Sequence, residues 1–212
     1  RGPALQWALA IFAFGTVWRL GSLLLLPWTK DPSRPREGAP SALAGAGHGI
    51  LVRFWPQKPF SKRALFHTVN GYVFHIGLAV VVLLFQPHIL FFEDLVGFGW
   101  PGLPNNVIYA VGVITVVSLV AALLRRITNP VQRLISKADD YISWALTVAP
   151  VITGLMATAH IGGRYETLLA VHILTVAAFL IWFPFGKLMH TFLFLLSRGV
   201  TGARLQHRGA KV

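Results

Sequence analysis

An all-α integral membrane bundle of five transmembrane helices is the fold class this chain predicts, on three observations. Of 212 residues, 55% are hydrophobic and only 12% are charged, with a mean hydropathy of +0.63. That leaves too little polar surface to cover a soluble globule. Five apolar stretches reach the roughly 20 residues needed to cross a hydrocarbon core of about 30 Å. They run over 4–27, 65–86, 106–124, 141–159 and 167–195, and the basic residues between them fall on alternate connections.

Taken in order, the stretch 4–27 carries one charge, Arg19, and gives way to a Pro/Gly-rich polar segment over 28–64. The stretch 65–86 follows the basic pair Lys62–Arg63 and stops before Pro87. The third, 106–124, is closed by Arg125 and Arg126. The fourth, 141–159, contains Pro150 and Gly154, which predict a kink. The fifth, 167–195, exceeds one bilayer crossing and is expected to tilt or project into the tail, 196–212.

Sixteen of the 19 lysines and arginines lie in 28–64, in the connection after the third stretch, or from Lys187 onward. Residues 87–105 have none and 160–166 only Arg164. The positive-inside rule then predicts one domain in the inner (cytoplasmic) membrane, N-terminus outside and C-terminus cytoplasmic. This bias accounts for the net charge of +12 without nucleic acid. Zero cysteines exclude disulfides, thiolate-held iron–sulfur clusters and covalently attached c-type haem in this chain.

The histidines carry the chemistry. His172 and His190 are 18 residues apart, which on one helix is five whole turns and about 27 Å along a common face. Histidine within a bilayer is costly and generally serves a pathway or a cofactor. Neutral imidazole is a common axial ligand of haem iron, so the pair points to a b-type haem near each membrane face. The second and fifth stretches run antiparallel. His75, 12 residues past Arg63, is therefore level with His190, 8 before Arg198. His88, 25 past Arg63, is level with His172, 26 before Arg198. The plainer reading, a histidine bonding a neighbouring carbonyl or lining a proton path, stands for each residue taken singly.

The string Phe183-Pro184-Phe185-Gly186-Lys187-Leu188-Met189-His190, with His172 ahead of it, resembles the last helix of the gamma, cytochrome b subunit of respiratory nitrate reductase. Phe74-His75-Ile76-Gly77 resembles that family's second helix. The resemblance implies an inner haem b on His75 and His190 and an outer one using His172. It also implies electrons taken from quinol outside and passed to a cytoplasmic iron–sulfur subunit. The chain departs from the pattern at Phe85, where that family has its second outer ligand. Phenylalanine cannot ligate iron. His88 is the substitute, although on an ideal helix it sits about 140° round from His75. Pro87 beside it can disturb the helix and bring it inward, and without it as a ligand one haem remains. This shift is more like the related cytochromes b of heterodisulfide-reductase-like and sulfur-metabolism complexes.

A quinol site needs groups that bond hydroxyls and accept protons, and the outer side offers Glu93, Asp94 and His160. Carboxylates there also simply mark loop ends, and His160 also reads as a loop residue. Haem propionates call for cations; Arg125, Arg126 and Lys187 are candidates at the inner level. Arg19 reads equally as an internal propionate partner or as a snorkelling side chain. His67 reads as an interfacial or propionate-contacting residue, and His48 and His207 as solvated. Trp18, Trp28, Trp55, Trp100, Trp144 and Trp182 read as interfacial belts. A non-haem transporter or proton channel and a purely structural membrane anchor are the alternatives in other classes.

Overall fold

The computed structural model describes residues 2–27 and 31–210. Trp28, Lys30 and Lys211, assigned above to the aromatic belt and the basic segments, lie outside the described residues. Among those residues the regular elements are helices: α1 (Pro3–Leu24), α2 (Ala42–Val52), α3 (Ser61–Leu84), α4 (Gln86–Val96), α5 (Asn105–Thr128), α6 (Pro130–Ile135), α7 (Ala138–Ala159), α8 (Tyr165–Trp182) and α9 (His190–His207). Five are long and apolar enough to cross a membrane: α1, α3 with the short 3-10 turn before it, α5, α7 and α8. The chain is all-α, as its composition and apolar runs require.

The spans pack in the order α3, α5, α7, α8, α1, while α3 and α8 share little direct packing. Small residues hold the contacts, as expected where lipid supplies no hydrophobic drive between helices. A methyl group on Gly77 would run into the Thr115 hydroxyl across α3 and α5. Gly112 receives Leu155, and Gly15 of α1 receives the Pro184 ring. Polar clamps add to them: Asn70 Nδ2 donates to the Ser118 carbonyl at 3.0 Å, and Ser118 Oγ returns to Asn70 Oδ1 at 2.8 Å. Trp144 donates to the Leu119 carbonyl and Trp182 to Ser143 Oγ. The side chains that face outward, such as Trp7, Phe14 and Val117, are apolar and exposed.

The fifth apolar stretch is not one helix, which corrects the single span over 167–195. α8 ends at Trp182, a 3-10 turn covers Lys187–Met189, and α9 starts at His190. Pro184 lacks the N–H that the preceding turn requires and its ring crowds that turn. His172 and His190 therefore lie on different helices, and the spacing of about 27 Å along one axis no longer applies. α1 splints the break. Phe12 meets Phe183 edge to face at 5.1 Å, and Arg19 Nη1 donates to the Pro184 carbonyl at 3.0 Å and the Phe185 carbonyl at 3.3 Å. A cation suits carbonyls left open at a helix C-terminus.

The polar segment and the tail are also more ordered than expected. α2, capped by Ser41 accepting from the Ala44 N–H, packs on α9. Gly45 and Gly49 on α2 face Gly202 on α9 so closely that a Cβ on Gly49 or Gly202 would overlap the opposite backbone. The sequence signal was the Gly45-x-x-x-Gly49 spacing. His207, expected to be solvated, bonds the Ser33 carbonyl through Nε2 at 3.0 Å. α7 runs on through Pro150 without interruption.

Candidate functional site

His75 projects from the middle of α3, and His190 is the first residue of α9, delivered by the turn after the Pro184 break. Their ring centres are 5.9 Å apart with the planes crossed at 86°. His75 Nδ1 donates to the Gly71 carbonyl at 2.7 Å, and His190 Nδ1 donates to the Lys187 carbonyl at 2.8 Å. A carbonyl can only accept, so each Nδ1 carries the proton and each Nε2 keeps its lone pair.

The second pair depends on another break. α3 stops at Leu84, Phe85 is extended (φ −84°, ψ 125°), and α4 begins at Gln86 with Pro87 in its first turn. Pro87 cannot donate to the Leu83 carbonyl, and that carbonyl accepts the Trp100 indole N–H at 2.6 Å instead. The Leu84 carbonyl takes the Leu103 N–H at 2.8 Å, and the Val81 carbonyl takes His88 Nδ1 at 2.9 Å. His88 thus caps α3 with one nitrogen and turns its ring toward α8. Its ring centre lies 6.2 Å from that of His172, with planes only 13° apart. His172 Nδ1 is 3.2 Å from Thr153 Oγ1. Phe85 itself is buried and meets the His88 ring edge to face at 5.2 Å.

Whether haem suits these residues is a question of donor number and spacing. Two metal–imidazole bonds of about 2 Å each, plus the half-widths of two rings, put ring centres about 6 Å apart when one metal sits between them. Both pairs match that separation. The bonded Nδ1 with a free Nε2 is the arrangement ligating histidines adopt. Among the described residues no group of three or more His, Cys, Asp or Glu could hold a metal ion. Two imidazoles per site, each with Nδ1 engaged by the protein, are the kind of donor set that would hold a haem iron. The residues fit haem b.

The cations are distributed differently. Asp140 accepts Lys187 Nζ at 2.5 Å and Arg126 Nη1 at 3.1 Å, so both charges are engaged and the turn preceding His190 is tied to α5 and α7. Arg125 lies over the Phe66 ring at 4.9 Å. Its Nε is buried and lacks a hydrogen-bond partner. Arg19 serves the α8 break. A cation missed by the sequence reading is Arg198, stacked over Phe54 and Phe194 at 5.2 and 5.5 Å with its Nη1 buried and lacking a hydrogen-bond partner. Phe54 is tied to α3 through its carbonyl, which accepts the Tyr72 hydroxyl.

Glu93 and Asp94 lie on α4, and His160 closes α7 in the left-handed region (φ 55°) with its ring on Tyr165 at 5.3 Å. All three are exposed. Glu93 packs against the turn at Gly97–Gly99. His67 and His48 are exposed. Of the tryptophans, Trp18 and Trp55 are exposed as a belt requires, whereas Trp100, Trp144 and Trp182 hydrogen-bond within the bundle.

No family model matches the chain, and no solved structure does. A protein of Nitratidesulfovibrio vulgaris (strain Hildenborough) is 35% identical over 203 residues, covering 95% of this chain and 89% of that one. The chain belongs to that protein's family. That relative is named only "Protein", which states no activity. At that coverage the likeness extends over the helical bundle as a whole rather than one motif.

Proposed function

We propose that the chain is the membrane cytochrome b of a respiratory electron-transfer complex, similar to the nitrate reductase gamma superfamily. It would hold an inner haem b between His75 and His190 and an outer one between His88 and His172. The observation that carries the reading is the two facing histidine pairs at ring separations of 5.9 and 6.2 Å. Each of the four Nδ1 atoms has a hydrogen-bond partner within the protein, which leaves Nε2 as the nitrogen available to a ligand.

The haems would supply one-electron carriers at two depths. The chain's own part is to orient the ligands. The Pro87 and Pro184 breaks aim His88 and His190, and capped carbonyls hold both turns. Arg198 and Arg125, each with a buried side-chain nitrogen that lacks a partner, are the cations suited to an inner propionate. Glu93, Asp94 and His160 at the opposite end are the groups for quinol protons. With 28–64, the α5–α7 connection and the tail on the cytoplasmic side, electrons would pass from quinol to a cytoplasmic iron–sulfur subunit on the basic surface, or in reverse to quinone. A transporter or a structural anchor leaves two matched histidine pairs, each with Nδ1 bonded, without a purpose.

The test is a reduced-minus-oxidised absorption spectrum of the purified full-length protein with pyridine haemochrome quantitation. Two b-type haems are expected in the wild type and one in His190→Ala. Absence of a reducible b-type band sinks the proposal, and two haems surviving in His190→Ala remove the inner assignment.

A further inference from the structure

The four facing histidines are not held alike. His75, His88 and His190 each donate Nδ1–H to a backbone carbonyl. His172 has a side chain as well as a backbone acceptor: Thr153 Oγ1 on α7, a helix that contributes no facing histidine, lies 3.2 Å from its Nδ1, beside the Pro150 carbonyl. The Thr153 hydroxyl donates to the Ala149 carbonyl at 2.8 Å, so its lone pairs remain to accept the imidazole N–H. Thr175 joins α8 to the same point, 3.0 Å from Thr153 Oγ1 and donating to the His172 carbonyl at 2.8 Å. The next residue of α7, Gly154, provides the space for the ring. A Cβ there would lie 3.1 Å from His172 Cε1 and 3.3 Å from Nδ1.

We infer that Thr153 and Gly154 are positioning residues for His172, and that Thr153 sets the potential of the outer centre through the hydrogen bond to Nδ1. The inference rests on the haem reading above. A ligating imidazole that donates its N–H to an acceptor is a more basic ligand. Stronger donation favours the oxidised, more positive iron and lowers the potential. Removing the acceptor while keeping the shape of the side chain raises it. The inner pair, held by backbone carbonyls on other helices, is unaffected.

The experiment is a redox titration of the full-length protein in detergent, followed by absorption and EPR, for wild type, Thr153→Val, Thr153→Ser and Gly154→Ala. The crossed inner rings and near-parallel outer rings give the two centres distinguishable EPR signals. Thr153→Val is expected to retain both haems and move one potential upward, leaving the other in place, with Thr153→Ser returning it toward wild type. Gly154→Ala is expected to perturb the same centre's EPR signal alone. If the Pro150 carbonyl, another acceptor beside His172, suffices by itself, the Thr153→Val potential stays at the wild-type value and the inference is overturned. Equal movement of both potentials also overturns it. A wild-type protein with no reducible haem refutes the haem reading instead, and with it this one.

Discussion

Each facing histidine has one nitrogen committed to its own surroundings, and that commitment decides which nitrogen keeps a free lone pair. The same principle of local partners operates far from the pairs. Asp31 accepts Arg208 Nε at 2.8 Å and the Ser33 hydroxyl at 2.7 Å, which clasps the loop after α1 to the end of α9. The Arg208 guanidinium and then Ser33 hold the Asp31 carboxyl well below the usual carboxylate range. A depressed folded-state pKa stabilises above the unfolded value, and the contribution is lost as pH falls from about 4 through the folded value. Proteolysis within 31–41 is therefore expected to proceed at one rate between about pH 8 and 6 and to accelerate below about pH 4. Asp31→Asn should show the fast rate already near neutrality. A wild-type rate that changes steeply near pH 7 would point to another group.

At the scale of elements, two prolines produce the site. Hydropathy made 65–86 and 167–195 legible as spans because burial in lipid is a property of composition. It left the breaks at Phe85 and at 183–186 unresolved, because those depend on partners from elsewhere: Trp100 and Leu103 for one, Arg19 and Gly15 of α1 for the other. His88 was legible as a substitute for Phe85, but the ideal-helix angle alone turned it away from the His75 face. Replacing Pro87 by Ala together with Trp100 by Phe restores the missing N–H and removes the cap on the Leu83 carbonyl, so α3 can continue. His88 then rotates away from His172. The expected outcome is loss of one haem and of the near-parallel EPR signal, with the inner centre intact. Two full haems in that double variant would show that the break does not aim the ligand.

For the whole molecule, the bundle is an arc from α3 through α5 and α7 to α8, and the histidine pairs link α3 to α9 and α4 to α8. Orientation belongs to this scale, since it follows from the charge of all connections together. The chain has no cysteine, so single introduced cysteines report without background. In intact cells a membrane-impermeant maleimide is expected to label Ile161→Cys, in the α7–α8 connection. Leu134→Cys, on α6, is expected to label only after lysis. Both side chains are exposed, at 64% and 85%. The reverse pattern would invert the topology and move the basic surface outside.

The sequence by itself determined the all-α class, the five spans and the depth matching of His75 with His190 and of His88 with His172. Those follow from hydropathy and residue spacing, which are local and additive along the chain. Only the tertiary structure decided that the last two histidines lie on separate helices and that Arg126 and Lys187 answer to Asp140. The same is true of the hydroxyl of Thr153 that meets His172. The reason is physical: a proline opens carbonyls and a buried charge demands a partner, but which distant group supplies it depends on how the helices pack.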